Sequence, residues 1–361
     1  MRDKSSPGGS VNSDADSFAM SGAARPLPKI LSVAGLKDEF LRFMPIWFIY
    51  ISAIGLLHVA LANFPEEGFA ALGFSRLAFV PTIAFPMAWF VGIFVLRIRR
   101  STRLEYRWKA YAALAALAVA VPLLITAFHR PHPLSHDALT SMFETAQLFW
   151  VGIFMVHVVL RRGWHALALF FGVTFIYGLV LENTGIIMGY FFEPSFLLYL
   201  GPLPAPFCTM LGWCVVFYVT IAAVEQLTEW VPWLAAKAWR RALATTALAL
   251  SMDAQLDPLA SMSGVFWRWN ELLSPVILGV PVINYTAWFG AFLPFSYFFF
   301  SLQGRKDLSP RQRSWELSLR IPLAALLGGV LCFGLMALVE GGFDGPTFQI
   351  LRDFSDRLMP Y

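Results

Sequence analysis

Nine apolar runs, each about 20 residues or longer, constrain this chain more than any motif in it. They cover 40–63, 74–97, 108–128, 140–160, 164–192, 206–230, 241–260, 275–301 and 318–340, the seventh being the least apolar. A helix of that length crosses the hydrocarbon of a bilayer with every backbone N–H and C=O paired inside the segment. The predicted fold is therefore all-α, a polytopic transmembrane helical bundle of about nine spans. Composition agrees, because only 14% of residues are charged, against roughly 25% in a soluble domain.

The 27 Lys and Arg test that count. With the N-terminus inside, twenty-two of them fall in cytoplasmic segments, in groups at 2–42, 97–109, 161–162, 237–241 and 305–320. The remaining five, Arg76, Arg130, Arg268, Arg352 and Arg357, fall on the other side. Positive charge is retained on the cytoplasmic face of membrane proteins, so the pattern predicts N-in and C-out. Shifting the count by one span would destroy the alternation. The net charge of +4 thus sets orientation and is no nucleic-acid signal. Residues 1–38, rich in Ser, Gly, Pro and Asp, are read as a disordered cytoplasmic tail with no signal-peptide pattern. Residues 39–345 form the transmembrane domain and 346–361 a short C-terminal tail. A bacterial inner (cytoplasmic) membrane is the expected location, and no internal repeat is visible.

An ionisable residue inside a span is costly, which makes it a candidate for function. Glu182 and Asn183 lie in the outer half of the fifth span. Asp253 and Asp257 lie near the outer end of the seventh, four residues apart and so on one helix face. Pro258 then ends or bends that helix. Asn284 and Tyr285 enter the eighth span at a similar depth, and Glu144 falls in the same layer of the fourth. Glu182 can equally serve as a structural acid, and Asp257 as an interfacial one. Glu225 and Glu229 sit beside Lys237, Arg240 and Arg241, as a surface charge cluster would. His58 and His157 read as packing residues, as do Cys208, Cys214 and Cys332. His129, His132, His136 and Asp137 crowd one loop, but Pro131 and Pro133 break any helical ladder of metal ligands. No metal and no cofactor are expected.

The segment 251–290, SMDAQLDPLASMSGVFWRWNELLSPVILGVPVINYTAWFG, is the most distinctive. Its Gly and Pro content predicts a broken or re-entrant element near 258–283, which membranes tolerate only around a cavity. The pattern Asp253-x3-Asp257-Pro258, Trp267-x-Trp269, Gly279-Val280-Pro281-x2-Asn284 and Trp288 resembles the carotenoid-biosynthesis hydratase family, membrane enzymes that add water to carotenoid end groups. A second likeness covers Glu182 to Tyr190, Leu203 to Pro206 and Trp213, although Asn183 departs from it. Together the resemblance spans about 175–295.

That resemblance implies cofactor-independent, acid-catalysed hydration of a terminal C=C in an acyclic or monocyclic carotenoid. A carboxyl must deliver a proton to carbon, leaving a tertiary cation that water captures. Low dielectric and a second carboxyl nearby both help an acid keep its proton. The catalytic candidates are Asp253, Asp257 and Glu182, with the deeper Asp253 expected as the acid. Asn183, Trp267, Trp269, Asn284, Tyr285 and Trp288 are the substrate-binding candidates, the aromatic rings to steady the cation and Asn284 to hold water. The implied partners are a polyene substrate, water, the lipid bilayer and other enzymes of the pathway. Three alternatives stay open: a membrane prenyltransferase using Asp253 and Asp257 for Mg²⁺ and diphosphate, a proton-coupled transporter, and a carotenoid-binding protein without catalysis.

Overall fold

The computed structural model describes residues 33–64, 66–71, 75–100, 107–193, 196–261 and 266–358. The chain divides into units 1–40 and 41–361, and the features below belong to the second. Of the expected tail 1–38, residues 1–32 lie outside the described residues, while Val33 already begins a helix.

The protein is an all-α, polytopic helical bundle. Among the described residues, seven helices are long and apolar enough to cross a membrane: α1 (Val33–Asn63, by its part Phe40–Asn63), α2 (Leu77–Arg100), α3 (Arg107–Phe128), α4 (His136–Arg162), α5 (Trp164–Met188), α6 (Phe207–Thr228) and α9 (Ile321–Val339). Two further helices match the seventh and eighth predicted runs, α7 (Ala238–Ser261, 24 residues) and α8 (Val282–Gln303, 22 residues). The first carries Arg240, Arg241, Asp253, Gln255 and Asp257, and the second Asn284, Tyr285 and a run of aromatic residues. Their buried faces pack against protein, so they need less apolar surface.

Contacts between helix ends bear out the alternation of direction. Arg42 near the start of α1 pairs with Glu229 beyond the end of α6. Arg100 at the end of α2 donates to the Trp230 carbonyl at 2.8 Å. At the other end, Leu134 N–H before α4 donates to Asn63 Oδ1 at the end of α1. Phe217, Phe292, Phe295 and Tyr177 stack through the middle of the bundle, with Phe217 and Phe292 ring centres 4.2 Å apart. The tightest crossing is that of α8 on α9. A Cβ on Gly328 would stand 2.6 Å from the Gly290 carbonyl oxygen, so only paired glycines let these two backbones touch.

Three local expectations change. Pro258 lies inside α7, which runs on to Ser261. The broken element near 258–283 is a loop with two short antiparallel ladders; its residues 262–265 lie outside the described residues. In the first ladder β1 (Phe191–Phe192) pairs with β2 (Arg268–Trp269), and in the second β3 (Val276–Ile277) pairs with β4 (Val280–Pro281). The segment 346–361, read as a tail, contains helix α10 (Pro346–Leu358), anchored through buried Phe348 and Ile350.

Candidate functional site

The turn that closes α5 builds the site. Gly189 adopts φ of 89°, a left-handed conformation that glycine enters without the Cβ penalty. Its N–H bonds the Ile186 carbonyl at 2.9 Å, and the Tyr190 N–H bonds that of Gly185 at 3.0 Å. The chain thereby folds back so that the Phe191 ring covers Gly185, where no Cβ would fit. Glu193 is returned toward Glu182, one side chain arriving from the loop and the other from the helix. The β1–β2 ladder sets Phe191 opposite Trp269, and Asn270 Nδ2 donates to the Gly189 carbonyl at 2.9 Å. Trp267 and Trp269 are held over the same space.

That space is a cavity of about 300 Å³ among α4, α5, α6, α7, α8 and α9. Its polar lining comes from Glu182, Glu193, Asp257, Asn284, Thr209, Thr184 and Gln147. Aromatic faces come from Phe143, Trp213, Trp267, Trp269 and Trp288. Trp213 and Trp288 lie 4.7 Å apart at 31°. No Lys, Arg or His occurs among the described residues that line it.

Within the site, Trp213 Nε1–H donates to Glu182 Oε2 at 2.8 Å, and Thr209 Oγ1–H donates to Glu193 Oε2 at 3.3 Å. The other Glu193 oxygen is buried without a partner. Burial, with the Glu182 carboxyl beside it, holds Glu193 well above the usual carboxylate range. Asp253 accepts from Asn284 Nδ2 at 2.9 Å through one oxygen, while the other is buried and unpartnered. The indole N–H of Trp267 is also buried and unpartnered. Such groups are uncommon in native interiors and each calls for an explanation.

Six predicted residues line the cavity: Glu182, Asp257, Trp267, Trp269, Asn284 and Trp288. Three do not. Asp253 is fully buried behind Asn284, so the greater depth that favoured it as the acid takes it away from the cavity wall; Asp257, one turn on, holds that place. Asn183 faces α6 and the loop before it, giving Nδ2–H to the Leu179 carbonyl at 2.8 Å and accepting from Ala205 N–H at 3.1 Å. It is a packing residue there, because adjacent helical positions point about 100° apart. Tyr285 donates its hydroxyl to the Ile277 carbonyl at 3.2 Å.

Glu144 likewise serves the loop before α6, accepting from Leu198 N–H at 3.0 Å and Leu197 N–H at 3.3 Å. Glu193 was not anticipated. It stands one residue past the fifth predicted run, where an acid reads as solvated; the Gly189 turn would have been the clue. His129 to Asp137 form no ligand group. His129 Nδ1 meets the Thr126 carbonyl at 2.8 Å, and His136 and Asp137 belong to the first turn of α4. Cys208, Cys214 and Cys332 are free and buried.

A family model described as carotenoid biosynthesis protein matches residues 142–348. That stretch includes every residue named as lining the cavity. No curated protein and no solved structure matches.

Proposed function

The chain belongs to the carotenoid biosynthesis protein family, and from that premise we propose that it hydrates a terminal C=C of an acyclic or monocyclic carotenoid by acid catalysis without a cofactor. One observation carries this reading: Glu182, Glu193 and Asp257 meet on the wall of an aromatic cavity whose described lining has no cation. A carboxyl in such surroundings favours its neutral form and keeps a proton to give. Asp257 protonates the CH carbon of the terminal double bond, and the positive charge falls on the dimethyl-bearing carbon next to it, a tertiary cation. Faces of Trp213 and Trp288 steady that cation. Water adds to the cation and gives its proton to Glu182, whose Oε2 accepts from the Trp213 N–H; the proton then returns from Glu182 to the Asp257 carboxylate, which restores both groups. The net change is one water across one double bond, and no electrons are exchanged.

Asp253 and Asn284 back Asp257 as positioning residues. A diphosphate substrate would find no counter-charge among the described lining residues, which weighs against prenyl transfer. The test is expression in a bacterium that accumulates lycopene or γ-carotene, followed by pigment analysis. The expected product is more polar and heavier by one water. Unchanged pigment with each carotenoid, despite folded protein in the membrane, would refute the reading.

A further inference from the structure

The cavity is smaller than a carotenoid. About 300 Å³ is at the low end of pockets for small ligands, whereas an extended C40 polyene is about as long as the hydrocarbon layer is thick, roughly 30 Å. Only an end group fits, so the rest of the chain needs a way out.

One wall offers it. On α5, Ile176, Val180, Thr184 and Ile187 form a stripe on one helix face, and all four are exposed, Val180 by 40% although it lines the cavity. Ala325 and Gly329 of α9 line the same cavity as Val180 and Thr184. A Cβ on Gly329 would meet nothing within 4 Å, in contrast to Gly328, which is locked against Gly290. Beside them on α9, Leu326 and Val330 are 65% and 62% exposed, as side chains turned to lipid are. Just past the end of α5 the chain meets α9, where the rings of Tyr190 and Phe333 stand 6.3 Å apart and the Tyr190 hydroxyl donates to the Thr347 carbonyl at 3.1 Å.

We propose that the gap between α5 and α9, bordered by Val180, Thr184, Ala325 and Gly329, is a lateral doorway that admits one carotenoid end from the bilayer and leaves the remaining polyene among the lipid chains. The doorway rests on the proposed function for its ligand and adds a substrate rule. The protein reads the end group and ignores chain length and the far end.

The test uses full-length protein with Gly329→Phe, which fills open space, and Gly334→Phe on α9 as a control. Gly334 is exposed, also meets nothing within 4 Å and is not part of the lining. Conversion and the pigment retained on purification are read together, at matched protein level and melting temperature. The doorway predicts that Gly329→Phe lowers both by about tenfold or more, that Gly334→Phe changes neither, and that C30, C40 and C50 polyenes sharing one end group are converted at similar rates. Parent-like conversion and retention by Gly329→Phe would overturn it, as would rates that track chain length. If the parent retains pigment but never alters it, hydration fails; the doorway then stands or falls on whether Gly329→Phe loses that pigment. A parent that neither converts nor retains any polyene overturns both.

Discussion

Glu225 and Asp257 are both carboxyls set among helices, near opposite ends of the bundle, and they are treated differently. Arg162 pairs with Glu225 through one oxygen and Gln303 donates to the other. Arg162 also lies over the Tyr218 ring, 5.5 Å from its centre. The Tyr218 hydroxyl reaches His157 Nδ1 at 2.7 Å, and His157 Nε2 reaches the Leu41 carbonyl at 2.6 Å. Since a carbonyl only accepts, Nε2 carries the proton and Nδ1 accepts from Tyr218. Each of these groups is answered by another, joining α1, α4, α6 and α8. Around Asp257 the neighbours are further acids, aromatic faces and empty space, and Glu193 and Asp253 each keep an oxygen without a partner. A closed network of this kind holds helices together. Acids left open toward a cavity are suited to chemistry, at some cost in stability.

The sharpest way to break the comparison is to neutralise one acid of each kind. Asp257→Asn should cut conversion by about 10²- to 10⁴-fold, the usual range for a general acid, with no loss of thermal stability in detergent. Retained turnover would remove Asp257 from its role. Arg162→Ala should do the reverse. It takes the charge partner from half-buried Glu225 and should cost about 1–2 kcal/mol, between the values for an exposed and a buried pair, while turnover per folded molecule stays unchanged. Unfolding curves measured beside pigment assays separate the two outcomes.

Asp253→Asn tests the positioning role. Asparagine still accepts from Asn284, so about a tenfold drop in turnover is expected; a loss as large as that of Asp257→Asn would make Asp253 the acid after all.

The smallest effect concerns pH. A carboxyl raised above its unfolded value adds stability that is present below the unfolded pKa and disappears as pH rises through the folded one. Burial and Glu182 raise Glu193 in this way. The parent should therefore melt progressively lower on the alkaline side, and Glu193→Gln should flatten that fall while matching the parent in acid. Parallel melting curves at every pH would mean that Glu193 is not held neutral.

The two regions were also unequally legible in the sequence. Span positions and alternation could be read because lipid imposes length and charge rules on each helix separately. Asp257, Glu182 and Asn284 could be read because polar groups at membrane depth stand out against apolar neighbours, and Trp288 through the family resemblance. Contacts made by turns could not. Glu193 reaches the cavity only because Gly189 reverses the chain, and Trp267 and Trp269 cover it through a ladder two residues long. The partners of Glu225 were misjudged for a related reason. Lys237, Arg240 and Arg241 are near in sequence, but Arg162, which the bundle brings beside Glu225, is sixty-three residues away. Depth alone also misled about Asp253, since rotation about the helix axis decides which of two stacked carboxyls meets the cavity.

The central claim is that water, activated by these acids, supplies the oxygen of the product. The measurement closest to it is the isotopic mass of the polar pigment formed in membranes carrying the parent protein, made once in heavy-oxygen water and once under heavy oxygen gas. The account predicts one heavy oxygen per modified end from the water, none from the gas, and no labelled product with Asp257→Asn. Label arriving from the gas, or labelled product persisting in Asp257→Asn at the parent's rate, would contradict it.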